Sequence, residues 1–384
     1  MTTVNAGNVV NATSIVTPVP NVFLNGDLGA LYAWQRNTTF ADTVGVPSAG
    51  ITYTADLWMF NTGTTGYATF KKAANAPTSA QAGYYTTSCM QMNTTSALTS
   101  LPSTNGHVIL AQIEGIDLQG IYNQNVCVSF WSAHTVTGTH CVAFSNYNGN
   151  RGSSVYNNGH YVVEYTQAVS NTWQFNQIVV PASWTGTWNL AAGTLGASII
   201  FPMYKTTENT GVAGWNSTAY NYCTANQVNN LGTIGNNYNI ALLKVEPGTS
   251  ATPWPYLFVN QHRSSLERYV EKSYAPGTVP GTATGQDGNE VFAVGASTNG
   301  NTCYFYYPFR TKKIIPASGV NCSLYNDITG TINSVVAYNN GGGTTNRTLN
   351  FGAGGLSNQM FFSLNNNSSE LMCEFQYFAY CSLF

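Results

Sequence analysis

Helical periodicity is confined to one stretch of this chain, and that confinement limits what the chain can fold into. Leu266, Tyr269, Val270 and Tyr274 recur at spacings of three and four, which predicts a helix over 259–275 with these residues on one face. Arg263, Glu267, Arg268, Glu271 and Lys272 take the rest of its surface, with Arg263 and Glu267 placed to pair one turn apart. Pro253-Trp254-Pro255 before it and Pro276-Gly277 after it allow neither a helix nor a central strand to run through. Everything else reads as β-structure, so this helix is expected to join two β-domains.

Short alternating or aromatic runs, cut by Gly, Asn and Pro, predict strands at 21–27, 33–40, 51–60, 66–70, 107–114, 126–131, 140–147, 161–165, 173–180, 197–204 and 239–246. With no helical period between them, they point to a jelly-roll β-sandwich over 21–258. Residues 205–237 form the longest loop-like tract, rich in Asn, Gly and Thr. Beyond the linking helix and a Gly/Thr/Pro linker at 276–289, further alternating runs between 290 and 378 predict a smaller C-terminal β-sandwich domain within 276–384. Asn339-Asn340-Gly341-Gly342-Gly343 reads as a hairpin tip. Residues 1–20, ending Thr-Pro-Val-Pro, are expected to form an extended anchoring arm held by a partner or a neighbouring copy. The fold class expected is therefore all-β.

Charged residues make up 7% of the chain, against roughly 25% in ordinary domains. Lys and Arg number 13 against 15 Asp and Glu, and no basic run exists to neutralise a phosphate backbone, which disfavours nucleic acid as a partner. The polar surface has to be built from amides, hydroxyls and Tyr, a composition suited to sugar recognition and equally common in fibrous and virion proteins. No apolar run reaches the roughly 18 residues of a membrane span, and the first residues lack the basic and apolar regions of a signal peptide. The eight cysteines contain no C-x-x-C pair, so zinc is not expected. Cys127, Cys373 and Cys381 sit among apolar neighbours and read as buried free thiols. No cofactor or metal is expected.

Candidate chemistry is sparse. Asp27, Asp56, Glu114, Asp117, Glu164 and Glu246 are the acids of the first domain; two of them would have to converge for glycoside hydrolysis. Glu114 beside Asp117 reads more simply as a local cap. Asp27, Asp56 or Glu246 could join carbonyls around Ca²⁺, although no D-x-D-x-D-G loop is present. His107, His134, His140, His160 and His262 accompany no Gly-x-Ser-x-Gly or His-Glu-x-x-His motif and are expected at the surface or at strand edges. Trp34, Trp58, Trp131 and Trp173 lie in strand-like runs and are expected in the core. Trp184, Trp188, Trp215, Tyr220, Tyr222 and Tyr156 lie in polar loops, where such rings either stack on sugar faces or pin the loops; the first five are the candidate glycan-binding residues.

Four segments in order resemble bacteriophage tail-fibre and receptor-binding virion proteins with a jelly-roll, carbohydrate-binding-like domain. Asn25-Gly26-Asp27 with Trp34-Gln35-Arg36 is similar to the family's first strand, and Tyr53-Thr54-Ala55-Asp56-Leu57-Trp58 to its Ala-Asp-Arg-Trp step, with Leu57 in place of Arg. Leu110 to Gly115 with Val128 to Trp131 resembles its central strand pair. Lys244 to Trp254 and Glu267 to Tyr274 resemble its closing strand, helix and handoff to a C-terminal β-domain. The resemblance, over 21–275, implies a non-catalytic protein on the virion (tail or capsid surface), often a homotrimer. It would contact other virion proteins through the arm and bind a host cell-surface glycan. A capsid decoration, cement or head-fibre protein making inter-subunit contacts is the alternative, and a polysaccharide-degrading enzyme the second.

Overall fold

The computed structural model describes residues 18–41, 52–62, 66–103, 106–147, 157–285, 288–293, 302–314, 319–339, 344–349, 351–355, 358–365, 370–381 and 383. Most of the expected arm, Tyr156 and most of the expected hairpin tip at 339–343 lie outside them. The fold is all-β: a jelly-roll β-sandwich, a short linking helix, and a smaller β-sandwich.

The strands of the first sandwich are β1 (Thr39–Ala41), β2 (Thr52–Tyr53), β3 (Trp58–Asn61), β4 (Ala68–Ala73), β5 (Cys89–Thr94), β6 (Val108–Glu114), β7 (Val126–His134), β8 (Gly138–Ser145), β9 (His160–Gln167), β10 (Gln174–Val180), β11 (Leu195–Pro202), β12 (Thr210–Gly211), β13 (Gly214–Asn216), β14 (Cys223–Thr224) and β15 (Asn237–Pro247). Sheet one runs β1-β4-β5-β15-β7-β10, and sheet two runs β13-β9-β8-β11-β6-β3-β2. Alternation decides what each sheet buries. On β7, Val126, Val128 and Phe130 point into the core; on β15, Tyr238, Ile240, Leu243 and Val245 do so. Facing them from sheet two are Trp58 and Phe60, Ile109 and Ile113, Val142 and Phe144, and Ile199 and Phe201.

The two sheets differ on their outer faces. Sheet two is apolar there as well: Met59, Val108, Leu110, Cys141, Ala143 and Ile200 are buried under the 205–237 tract, which contributes Tyr222 and Cys223. A sheet buried on both faces reads as near-continuous apolar sequence, as 108–111 and 199–201 do. Sheet one alternates along most of its strands, and its outer face is partly covered: Cys89, Ala241 and Leu242 are buried there, with Tyr84, Trp131, Trp173 and Trp254 packed against them.

Residues 21–37 do not form the expected strands. They run as turns that plug the sandwich, burying Phe23, Leu28, Ala33 and Trp34. This plug docks on an irregularity in β15 between Ala241 and Lys244. Gly26 O accepts from Leu243 N at 3.1 Å, and a Cβ on Gly26 would lie 1.9 Å from Leu243 O. Backbone contacts across the bulge replace the pairing a strand would have made. Strand β5 was not expected from the sequence.

The helix is shorter than its periodicity predicts. After α1 (Ser79–Ala82) and α2 (Gly115–Leu118), α3 spans Val259–Glu267, and Val270–Lys272 form β16. Leu266, Tyr269, Val270 and Tyr274 are all buried, as their pattern requires. However, β16 pairs with β24 (Glu370–Tyr380), whose backbone competes successfully for the helix's last turn. The remaining strands are β17 (Glu290–Ala293), β18 (Thr302–Pro308), β19 (Val320–Tyr325), β20 (Ser334–Asn339), β21 (Thr344–Thr348), β22 (Phe351–Gly355) and β23 (Gln359–Asn365). Long β24 pairs with β16, β17, β19 and β20 and so belongs to both layers. Cys127, Cys373 and Cys381 are buried free thiols.

The scarce charges gather where β16 meets both halves. Glu114 accepts from Gly193 N at 2.6 Å, from Arg268 Nη2 at 2.8 Å and from Tyr269 OH at 2.5 Å. Glu271 takes Lys313 and Tyr377 Oη. Gln35 Nε2 donates to Asp56 Oδ2 at 2.9 Å and to Val270 O at 3.0 Å. Arg36 stacks between Tyr53 and Tyr380, 4.5 and 4.6 Å from their ring centres.

Candidate functional site

On the outer face of sheet one, register sets side chains in rows across the strands. Thr69, Asn93 and Asn237 make one row; Lys71, Gln91, Asn239 and Ala133 make the next. Asn93 Nδ2 donates to Asn237 Oδ1 at 2.8 Å, Gln91 Nε2 to Asn239 Oδ1 at 2.9 Å, and Asn239 Nδ2 to Ala133 O at 2.6 Å. Gln91, Asn93 and Asn237 are half-buried and keep donor or acceptor capacity beyond these bonds, whereas Asn239 is buried and orients Gln91. In the row beyond, Ala241 stands opposite Trp131 and Trp131 opposite Phe175.

The two rings sit 5.6 Å apart at 56°, with Phe175 51% exposed and Trp131 half-buried. Half-buried Trp173 donates its indole N–H to Asn75 Oδ1 at 3.2 Å beside them. A shallow groove of about 420 Å³ runs from these rings past Leu242 and Gln177 to Trp254. The nearest charges are already spent: Lys244 Nζ lies 3.0 Å from Glu246 Oε2, and Glu246 also accepts from Thr252 N at 2.8 Å. What remains is aromatic faces bordered by amides, with Lys71 at the far end of the Gln91 row, an arrangement that can stack on a sugar ring and hydrogen-bond its hydroxyls.

The structure places the candidate loop rings elsewhere. Trp184 and Trp188 are buried, 4.9 Å apart, packed on Phe144, and Trp188 meets half-buried Trp215 edge-on at 6.2 Å. Tyr222 is buried and, with half-buried Tyr220, packs around Tyr147. Trp184 and Trp188, with Trp215 packed on them, belong to the main core beside Phe144, and Tyr220 and Tyr222 pin the 205–237 tract over sheet two. Conversely, Trp131 and Trp173, expected in the core, lie on the outer face, while Trp34 and Trp58 are core as expected. The phase of β7 carried the signal: if Val126, Val128 and Phe130 point in, Trp131 must point out. Gln91, Asn93, Asn237 and Asn239, which the sequence reading passed over, follow from the same phase on β5 and β15.

All five histidines are buried, not at the surface or strand edges. His134 Nε2 bonds Tyr165 OH at 2.8 Å, Tyr165 bonds Tyr238 at 2.6 Å, and His134 stacks on Tyr238 at 3.6 Å. Burial holds His140 and His160 down at about 4 and His134 well below its usual value, so all three are neutral at pH 7.

Glu114 makes no capping bond to α2; its carboxylate reaches across the joint. Asp117 rises to about 6 through burial first and the Glu114 charge second. Asp27, Asp56 and Glu246, the candidate Ca²⁺ ligands, each accept bonds from protein donors. Among the described residues, no group of three or more His, Cys, Asp or Glu is placed to hold a metal. No helix among them is long and apolar enough to cross a membrane.

No protein-family model matches the chain, and no curated protein matches it in sequence. Among solved structures, it is similar to the enzymatically active domain of tailspike protein 4 of bacteriophage CBA120, at 14% identity and a TM-score of 0.27 over 50% of this chain. That match spans only 19% of the tailspike domain's length. It is also similar to a family 11 carbohydrate-binding module from Clostridium thermocellum, solved with a mixed-linked tetrasaccharide (13% identity, TM-score 0.30, 56% of this chain and 96% of the module). A third is the xylan-binding domain from Paenibacillus barcinonensis, at 10% identity and a TM-score of 0.24 over 56% of this chain and 99% of that one.

Proposed function

We propose that this protein binds glycans, without catalysis, in the groove on the outer face of sheet one. The observation that carries the reading is the Trp131–Phe175 pair, turned outward beside the Gln91/Asn239 and Asn93/Asn237 amide rows. A sugar presents apolar C–H faces and a rim of hydroxyls. A ring wall answers the first and neutral amides the second, without the desolvation cost that charges would add. The rows cross several strands, which suits an oligosaccharide better than a single sugar. No Asp or Glu among the described residues lines the groove, which favours binding over hydrolysis.

The segment order resembling phage receptor-binding proteins supports setting this function on a virion surface, in tail or capsid, with the protein a homotrimer that attaches the particle to host glycans. Glycan-array screening followed by whole-cell adsorption tests this. Saturable binding lost in Trp131→Ala supports the reading, and an array without hits contradicts it. A second reading, an inter-subunit cement role, is favoured by the exposed apolar run Leu257, Phe258 and Val259.

A further inference from the structure

A cavity of about 640 Å³ opens where the 21–37 plug meets the start of α3, on the other side of Trp254 from the sheet-one groove. Its walls include the rings of Tyr32, Tyr84, Trp254 and Tyr256, with Asp27 and His262 also lining it. Tyr84 and Trp254 lie 5.6 Å apart at 43°, and Tyr256 is 75% exposed at the mouth. Asp27 is fixed by neutral donors: Thr86 Oγ1 at 2.6 Å and Gly29 N at 2.9 Å on Oδ1, and Tyr84 OH at 3.0 Å on Oδ2. No Lys or Arg among the described residues forms an ion pair with it. His262 is buried with Nε2 unbonded, and burial lowers its pKa, so it adds no competing charge near neutrality. Arg263, over the Tyr32 ring at 5.3 Å, is answered by Glu267 at 2.8 Å.

We propose that this cavity binds a small quaternary ammonium group of the choline type. The rings of Tyr84, Trp254 and Tyr256 border the cavity, Tyr32 being taken up by Arg263, and a carboxylate that no Lys or Arg pairs with supplies the matching charge. A primary ammonium fits less well. It would bring three N–H donors into a lining that is mostly apolar, where the carboxylate already accepts three bonds. A methylated cation carries no donor to satisfy. The site shares only Trp254 with the sheet-one groove, and neither reading depends on the other.

The test is a titration of the full chain with choline chloride at constant ionic strength, read by calorimetry and Trp fluorescence. The neutral isostere 3,3-dimethylbutan-1-ol is run in parallel. Choline should saturate, and the isostere should bind about tenfold more weakly or worse, because it lacks the charge. Asp27→Asn should cost about tenfold in affinity by the same reasoning. Tyr256→Ala, at an exposed position that folding does not need, should weaken choline several-fold while Trp131→Ala leaves it unchanged. Equal affinity for choline and its isostere, wild-type affinity in both Asp27→Asn and Tyr256→Ala, or no saturable signal would each overturn the proposal. In the last case, a self-association broken by Leu257→Asp would assign the cavity to a contact between copies.

Discussion

Trp131 and Phe175 stand opposite each other on the antiparallel pair β7 and β10, their rings 5.6 Å apart on the outer side of sheet one. Their burial on this side is incomplete, so they contribute less to stability than a core pair would. Phe175→Ala, at a position 51% exposed, should change stability by no more than about 1 kcal/mol in urea unfolding.

Trp188→Ala should behave in the opposite way. Its ring is 8% exposed and stacks on Phe144 at 5.1 Å. Truncation leaves a cavity and should cost about 3–5 kcal/mol, visible as a lower urea midpoint. Glycan affinity of the fraction that remains folded should be unchanged.

The buried histidines make an acid-sensitive core. His140 and His160 fall to about 4 in the folded state from an unfolded value near 6.5, so the unfolded chain binds protons first. Their contribution is full above about pH 6.5 and is lost as pH falls towards 4. Asp56, raised to about 7 by burial against the pull of Arg36, has the opposite sign. Its contribution is full below about pH 4 and is lost as pH rises through 7. Because the two trends oppose each other, variants reveal them best. His160→Asn should flatten the fall in melting temperature between pH 6.5 and 4, and Asp56→Asn should flatten the loss between pH 5 and 8. Parallel wild-type and variant curves would refute both assignments.

The joint should fail when Glu114 changes. Glu114→Gln removes the charge that Arg268 and Tyr269 share. Arg268 is 40% exposed and can turn to water, so the loss should be about 1–3 kcal/mol, below that of a fully buried pair. Tyr269→Phe removes one charge-assisted bond and should cost about 1.5–3 kcal/mol. Limited proteolysis near 268–285 should accelerate in both.

Layering and strand positions were legible because alternation in 126–131 leaves few options and the apolar run within 197–204 marks a strand, although neither shows that sheet two is buried on both faces. The plug at 21–37 was not legible. Its apolar residues look strand-like, and only the β15 bulge, a tertiary feature, gives that backbone its partners. Helix α3 was overread because Tyr269 and Val270 satisfy a helical stripe and a strand pairing equally well. The site was misplaced for a related reason. Residues 205–237 resemble an exposed loop by composition, yet they cover the apolar outer face of sheet two, so Tyr222 had to be buried there.

The most direct measurement is the affinity of a glycan selected by array, determined by calorimetry for wild type, Trp131→Ala and Trp215→Ala. The account predicts at least about a tenfold loss for Trp131→Ala, in line with removing a stacking ring, with folding kept and near wild-type affinity in Trp215→Ala. Unchanged affinity in Trp131→Ala, with loss in Trp215→Ala, would contradict it.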